Sequence, residues 1–185
     1  GVFACIPPFN FPFMVPLWFL PYAIATGNTF VVKPSPNDPL SQVKLHELLE
    51  ETGIPEGVVN IVHGGAKVAE RLMKHEDVKG VTFVGSTPIA RIVYRTCGET
   101  GKRVIAQGGA KNFLVVMPDA DLDFTVASMM TSFYGNAGQR CLSGANAIIV
   151  GKDAGFYKRF VEAFVEAARK IKVGNGLEEG IQMGP

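Results

Sequence analysis

The sequence has little of what would mark a secreted, metal-binding or nucleic-acid-binding protein. Its 185 residues include three cysteines, three histidines and one tryptophan. Cys5, Cys97 and Cys141 are odd in number and form no Cys-x-x-Cys pair. They give no disulfide framework, and no Cys/His cluster has zinc spacing. A reducing compartment is the expected home. Neither sign of charge dominates: Lys and Arg number 18, Asp and Glu 17. That balance lacks the electrostatic footprint of a DNA- or RNA-binding surface. No apolar run reaches the length of a membrane span. The nearest, FPFMVPLWFLPYAIA at 11–25, is short and carries Pro12, Pro16 and Pro21. It reads as a buried helix interrupted near Pro21. The GxGxxG fingerprint of dinucleotide-binding turns is also missing, as are internal repeats and low-complexity segments. The chain opens on GVFACIPPF without an initiator Met and stops at IQMGP. Both ends read as cuts inside a larger protein, so a missing leader peptide carries no information about targeting.

What is present is a regular alternation. Nearly half of the residues are hydrophobic, enough for a sizeable core. GVFACIPP reads as a buried strand stopped by prolines, and TFVVKPS as a second strand ending at Lys33. Residues 40–52 show helical spacing of Leu40, Val43, Leu45, Leu48 and Leu49, with Gly53 as the stop. GVVNIVHGG and VKGVTFVGS read as strands, AKVAERLMKH and TPIARIVYRTCGE as the helices after them. Strands alternating with helices predict βαβ crossovers and an α/β fold with a Rossmann-like parallel sheet. The continuous rather than alternating hydrophobicity predicts strands covered on both faces. Beyond Gly108-Gly109, where a boundary is expected near 107–110, the order changes. A strand–turn–strand leads to a helix over about 121–135, then a glycine-rich loop with Cys141, a strand GANAIIVG and a long helix over 153–171.

Four places could carry chemistry. In VTFVGSTPIARIV, Gly85 permits a sharp turn, Ser86 or Thr87 can cap the following helix, and Pro88 suits its first turn. Free N–H groups at such a helix start make a phosphate site; the plain alternative is an ordinary capped helix. Lys33 ends a strand, where ligands sit in open parallel sheets; the alternative is a solvated lysine. Asn10, in PPFNFP, sits in a rigid setting able to present a side-chain amide as an oxyanion donor; the alternative is a turn asparagine. Cys141 has Arg140 beside it and polar, glycine-rich flanks, an electropositive setting of the kind that activates a thiol. The alternative there is a small buried hydrophobe. Cys5 lies in an apolar strand and reads as core. His46, His63 and His75 are scattered and indicate no Cys–His pair.

Taken together, PPFNFP, YAIATGNTFVVKPS, GIPEGVVNIVHGG, VTFVGST, QGGAKN and GQRCLSG resemble the aldehyde dehydrogenase superfamily in order and spacing, across essentially the whole chain. Within it, the Arg-Cys pair, GAKN and the terminal VGNGLEEGIQMGP resemble the methylmalonate-semialdehyde dehydrogenase branch, which acylates coenzyme A. The resemblance implies that 1–108 are part of an NAD-binding domain and 109–185 the start of a catalytic domain. It implies Cys141 as nucleophile and Asn10 as oxyanion donor. It implies contacts to NAD from Lys33 at the adenosine ribose, Ser86 with Gly85 at the pyrophosphate, and Pro7, Phe9 and Gly108 near the nicotinamide. Arg140 resembles the arginine that binds the substrate carboxylate. The substrate implied is a small semialdehyde, with CoA as co-substrate. The resemblance further implies a homotetramer in the cytoplasm, or in the mitochondrial matrix of a eukaryote, with no nucleic acid, membrane or metal involved.

Three positions depart from the family pattern. A glutamate usually follows KPS; Pro36 stands here, followed by Asn37. Proline has no carboxylate for ribose hydroxyls, so the usual basis for preferring NAD over NADP is missing. GSTxxG ends in Ala90. Hydrolytic members carry glutamate where this chain has Gln107, and an amide has no useful basicity. Alternatives to the acylating reading are a hydrolytic aldehyde dehydrogenase using another base, and a non-catalytic nucleotide-binding or subunit-interaction piece. The chain on its own is expected to be inactive.

Overall fold

Five short runs rich in Val, Ile and Phe become β1 (Val2–Ile6), β2 (Thr29–Val32), β3 (Val59–Ile61), β4 (Val78–Val84) and β5 (Arg103–Gln107). The computed structural model describes residues 1–184. All four strand pairings are parallel, in the order β3-β2-β1-β4-β5. Crossovers are supplied by α1 (Met14–Leu17), α2 (Leu20–Ala25), α3 (Leu40–Glu51), α4 (Ala66–Lys74) and α5 (Thr87–Glu99). This is the α/β, Rossmann-like parallel sheet that the alternation predicts. From β1 the chain winds outward to β2 and β3, then returns to β1's other side for β4. The direction of winding therefore reverses between β1 and β4. In open α/β sheets ligands bind outside the strands' carboxyl ends at such a switch point.

Successive residues of β1 point to opposite faces. Ala4 and Ile6 join Val81, Phe83, Met73, Val93 and Cys97 on one side. Cys5 joins Leu20, Phe30 and Val32 on the other. Burial on both faces holds for the central β4 but not throughout. The edge strand β5 alternates, leaving Ile105 48% exposed, because α5 packs on one face of it while the other is left open. Helix α3 also differs from its expected apolar face. Gln42 and Leu45 are its buried residues, while Leu40 is 74% exposed. Positions 42, 45 and 49 share one side of a helix, and Leu49 packs on the second cluster. The break in the first helical stretch falls at Trp18 and Phe19, with Pro21 inside the first turn of α2, where a missing N–H costs no helical bond.

The two cores bury two thiols. Burial pushes Cys5 from its ordinary 9.0 up to about 12, against a smaller opposing effect of the Thr82 hydroxyl. Cys97 is raised as well, by burial, with Lys102 opposing. A raised folded-state pKa contributes stability that is full below the unfolded value and is lost as pH climbs to the folded one. Unfolding midpoints in urea should therefore fall between pH 9 and about 12. Cys5→Ala should flatten that slope while lowering stability at neutral pH. A slope unchanged by the substitution would remove Cys5 as its source.

The chain divides into two units, Gly1–Gly109 and the residues from Ala110 onward. The second holds a parallel pair, β6 (Asn112–Val116) and β7 (Gly144–Ile149), with α6 (Leu122–Tyr134) and α7 (Ala154–Arg169). Asp121 caps α6 by accepting the Phe124 N–H at 2.8 Å. Asp153 caps α7 by accepting from Gly155 and Phe156. Each cap satisfies donors the helix start leaves unpaired. Val116, Val126, Met129, Phe156 and Phe160 form the core. Phe113, Val115 and Ile148 lie exposed on alternate positions of the strands.

Candidate active site

In the first unit the residues singled out by sequence collect at the carboxyl ends of neighbouring strands. Pro7, Phe9 and Asn10 follow β1, Lys33 follows β2, Gly85 and Ser86 follow β4, and Gln107 and Gly108 end β5. β1 and β4 are the pair that flank the switch point. Pro7 is buried and Asn10 half-buried, while Phe9 is exposed. The Asn10 loop is anchored from α3: Gln42, fully buried, donates its Nε2 to the Pro12 carbonyl. That explains a glutamine on the inward face of α3, a role the apolar spacing gave no reason to expect.

Lys33 is not a solvated lysine. It is 4% exposed, and its Nζ donates to the carbonyls of Pro34 at 2.8 Å and Gly64 at 3.0 Å. Burial lowers its pKa, because an ammonium loses its hydration there. The following segment turns at once, with the Asp38 N–H donating to the Ser35 carbonyl at 3.2 Å. Pro36 occupies the second position of that turn, where its fixed φ fits. Pro36 and Asn37 are exposed, and Asn37 donates its N–H to Ser35 Oγ at 3.3 Å.

The β4–α5 turn is stitched to the end of β5. Gly85 donates its N–H to the Gln107 carbonyl at 3.1 Å. Gly109 donates to Thr87 Oγ1 at 2.9 Å. A Cβ at Gly85 would lie 2.5 Å from the Phe83 ring, and one at Gly108 would lie 2.8 Å from Thr87 Oγ1. The Phe83 ring over Gly85 and Thr87 against Gly108 leave no room for a side chain at either position. Neither hydroxyl caps α5 in the expected way. Ser86 occupies the N-cap position without a side-chain cap bond, and Thr87 serves Gly109 instead. The helix start thus presents backbone N–H groups and the exposed Ser86 hydroxyl, the donor set an anionic phosphate requires.

In the second unit Cys141 lies on the loop between α6 and β7. Helix α6 ends at Tyr134, and the turn after it holds Asn136 at φ 54° and Ala137 at φ 52°. Left-handed backbone is strained for alanine. The Gln139 N–H then donates to Asn136 O and the Arg140 N–H to Gly138 O, both at 2.9 Å. Ser143 Oγ donates to the Ser132 carbonyl, and Gly144 N–H donates to Ser132 Oγ at 2.9 Å. From β6, Asn112 donates its amide to the carbonyls of Cys141 at 2.5 Å and Ser143 at 3.2 Å. Arg140 folds its guanidinium over Gly135, where an added Cβ would lie 2.3 Å from Nη2, and Nη1 reaches the Thr131 carbonyl at 3.5 Å. The three cysteines are free; Cys5 and Cys97 are buried and Cys141 is half-buried. The anchors Asn112, Gln42 and Ser132 escape a reading of the sequence, because their partners are backbone atoms far along the chain. Asn112 does stand inside the recognised GAKN motif, which marks the position without revealing its contacts.

Among the described residues no group of three or more His, Cys, Asp or Glu could hold a metal ion. No helix among them is long and apolar enough to cross a membrane.

Residues 1–185 match the aldehyde dehydrogenase family. Malonate-semialdehyde dehydrogenase 2 of Geobacillus thermodenitrificans is 50% identical over 185 residues, which are 100% of this chain and 38% of that protein. The crystal structure of methylmalonate-semialdehyde dehydrogenase from Oceanimonas doudoroffii superposes with a TM-score of 0.95 at 47% identity, over 100% of this chain and 38% of the other. A Sinorhizobium meliloti structure assigned to the methylmalonate-semialdehyde dehydrogenases and complexed with NAD gives 0.95 at 42% identity, over 100% of this chain and 37% of the other. The chain belongs to the aldehyde dehydrogenase family. It spans 38% of the length of the curated relative.

Proposed function

We propose that the intact protein oxidises a small carboxylated aldehyde, malonate or methylmalonate semialdehyde, with NAD, and passes the acyl group from Cys141 to coenzyme A. The observation that carries this reading is the contrast among the thiols. Two are sealed in the first unit's cores, while Cys141 is half-buried on a loop whose backbone is pinned by Asn112.

In this reading the Cys141 thiolate attacks the aldehyde carbon, and the carbonyl electrons move onto oxygen. The family resemblance assigns Asn10 and the Cys141 N–H as the hydrogen-bond donors to that oxyanion. Bound NAD would supply a hydride acceptor for the former aldehyde carbon, and loss of that hydride would leave a thioester on Cys141. The CoA thiol then attacks the thioester, and Cys141 leaves as thiolate. Before that transfer a malonyl-type acyl group on Cys141 loses CO₂, its α-carbon keeping the electron pair and taking up a proton, so that the product is acetyl-CoA, or propionyl-CoA from the methylated substrate.

The residues present fit the dinucleotide at most points. Gly85 and Gly108 leave no side chain in the way, the start of α5 offers N–H donors, and Lys33, with one N–H left beyond those given to Pro34 and Gly64, is the residue the resemblance assigns to the ribose. The family resemblance assigns Pro7 and Phe9 to the nicotinamide half. Position 36 does not fit, because a proline in a turn supplies no carboxylate. The family resemblance adds a homotetramer working in the cytoplasm.

Arg140 binds the substrate carboxylate in this reading. Arg140→Leu in the intact protein should raise KM for malonate semialdehyde about 30-fold or more, the order expected for losing a charge-assisted pair, and leave KM for propanal within about threefold. Steady-state NADH formation checks this. An equal loss on both substrates would reduce Arg140 to a neighbour that only tunes the thiol.

A further inference from the structure

We propose that Asn112 is a positioning residue for Cys141, fixing the nucleophile's backbone through the two hydrogens of one side-chain amide. This rests on the reading of Cys141 as nucleophile. Asn112 opens β6, and its strand partner is Gly144, the first residue of β7. The carbonyls of Cys141 and Ser143 therefore lie just before the ladder begins. The Asn112 amide reaches across that gap, Nδ2 donating to Cys141 O at 2.5 Å and Ser143 O at 3.2 Å. Both of its protons are thereby engaged.

The chemistry selects asparagine. Aspartate would turn two acceptors toward two acceptors, leucine would offer no donor, and serine has one shorter donor. Holding the Cys141 carbonyl fixes the orientation of its Cα, and with it the bond that carries Sγ. The same restraint sets the direction of the neighbouring peptide N–H groups. The other anchors of the loop act elsewhere: Ser132 binds at Ser143 and Gly144, and Arg140 leans on Gly135. Asn112 grips the reactive residue itself. A misplacement of about 1 Å at a reacting atom can cost about 100-fold in rate.

The test uses the intact gene product with Asn112→Leu, Asn112→Ser and Cys141→Ala. The single-turnover rate of NADH formation per protomer is measured, together with NAD affinity and iodoacetamide labelling mapped to each cysteine. Asn112→Leu should slow NADH formation about 100-fold, with NAD affinity within about twofold and Cys141 labelling within about threefold of wild type, which are margins for an unperturbed site. Cys5 and Cys97 should stay unlabelled, which reports an intact fold. A folded Asn112→Leu that forms NADH at the wild-type rate overturns the proposal. So does a slow variant in which Cys5 and Cys97 become labelled, because the role is then structural. If Asn112→Leu does not fold, Asn112→Ser decides, with an intermediate loss of about tenfold expected and a wild-type rate overturning. Cys141→Ala separates the two claims. NADH formation without that thiol removes the nucleophile reading; an inactive Cys141→Ala beside a fully active Asn112→Leu removes only the positioning role.

Discussion

Cys141→Ala should lower NADH production by the intact protein about 10⁴-fold or more, the scale of losing a covalent nucleophile. Iodoacetamide should label Cys141 before either other thiol. The contrast follows from where the three cysteines lie. Only the thiolate is nucleophilic, and burial disfavours it. Cys5 is 1% exposed and raised to about 12, so at neutral pH its thiolate is a trace species. Cys97 is sealed on the inward face of α5 and raised by the same cause. Cys141 is half-buried and free, between a strained turn and the first residue of β7. Peptide mapping after brief alkylation decides the order. Preferential labelling of Cys97 with Cys141 untouched would remove the assignment, as would substantial turnover by Cys141→Ala.

Much of the first unit was legible because parallel strands and their helices carry strong local signals. β1, β2 and β4 are apolar runs ended by proline or glycine, and α5 begins at Thr87-Pro88, inside the stretch read as its start. Sheet order was not legible. That β4 returns beside β1 depends on packing between residues far apart in sequence, yet it creates the switch point where Asn10 and Gly85 gather. Patterns of exposure were partly misleading for the same reason. Periodicity places Leu40 on the apolar side of α3, but the loop after β1 needs a donor for Pro12, and Gln42 takes the inward position. Lys33 shows the opposite case. As a lone lysine it reads as solvated, and only the approach of the Pro34 and Gly64 carbonyls makes a buried ammonium tolerable. Motifs reveal which residues recur together; the hydrogen bonds that hold them, such as Asn112 to Cys141, run through backbone carbonyls that any sequence possesses.

Gln107→Glu should shift the product of the intact protein from acyl-CoA toward free acid. Gln107 is the last residue of β5, exposed, with its carbonyl accepting the Gly85 N–H at 3.1 Å. Its backbone is thus fixed by the β4–α5 turn while its side chain remains accessible to solvent. The family resemblance implies a water-activating glutamate at this position in hydrolytic members, from which this chain departs. An amide cannot take a proton from water, and positioned general-base catalysis is worth about 10²–10⁴-fold. Water attack on a Cys141 thioester should accordingly be slow in the natural protein. Coenzyme A needs less help, because its thiol is intrinsically the better nucleophile. Without CoA, one rapid equivalent of NADH should precede steady turnover at least about 100-fold slower than with CoA. With CoA, ping-pong kinetics should appear, NADH leaving before the acyl-CoA. In Gln107→Glu the slow phase without CoA should rise about tenfold or more, still within the range of general-base catalysis, and free acid should appear alongside acyl-CoA. Equal multiple-turnover rates with and without CoA in the natural protein, yielding free acid, would overturn the acylating reading and imply a water-activating base elsewhere in the intact protein. An unaltered product ratio in a folded Gln107→Glu would show that position 107 does not control the fate of the thioester.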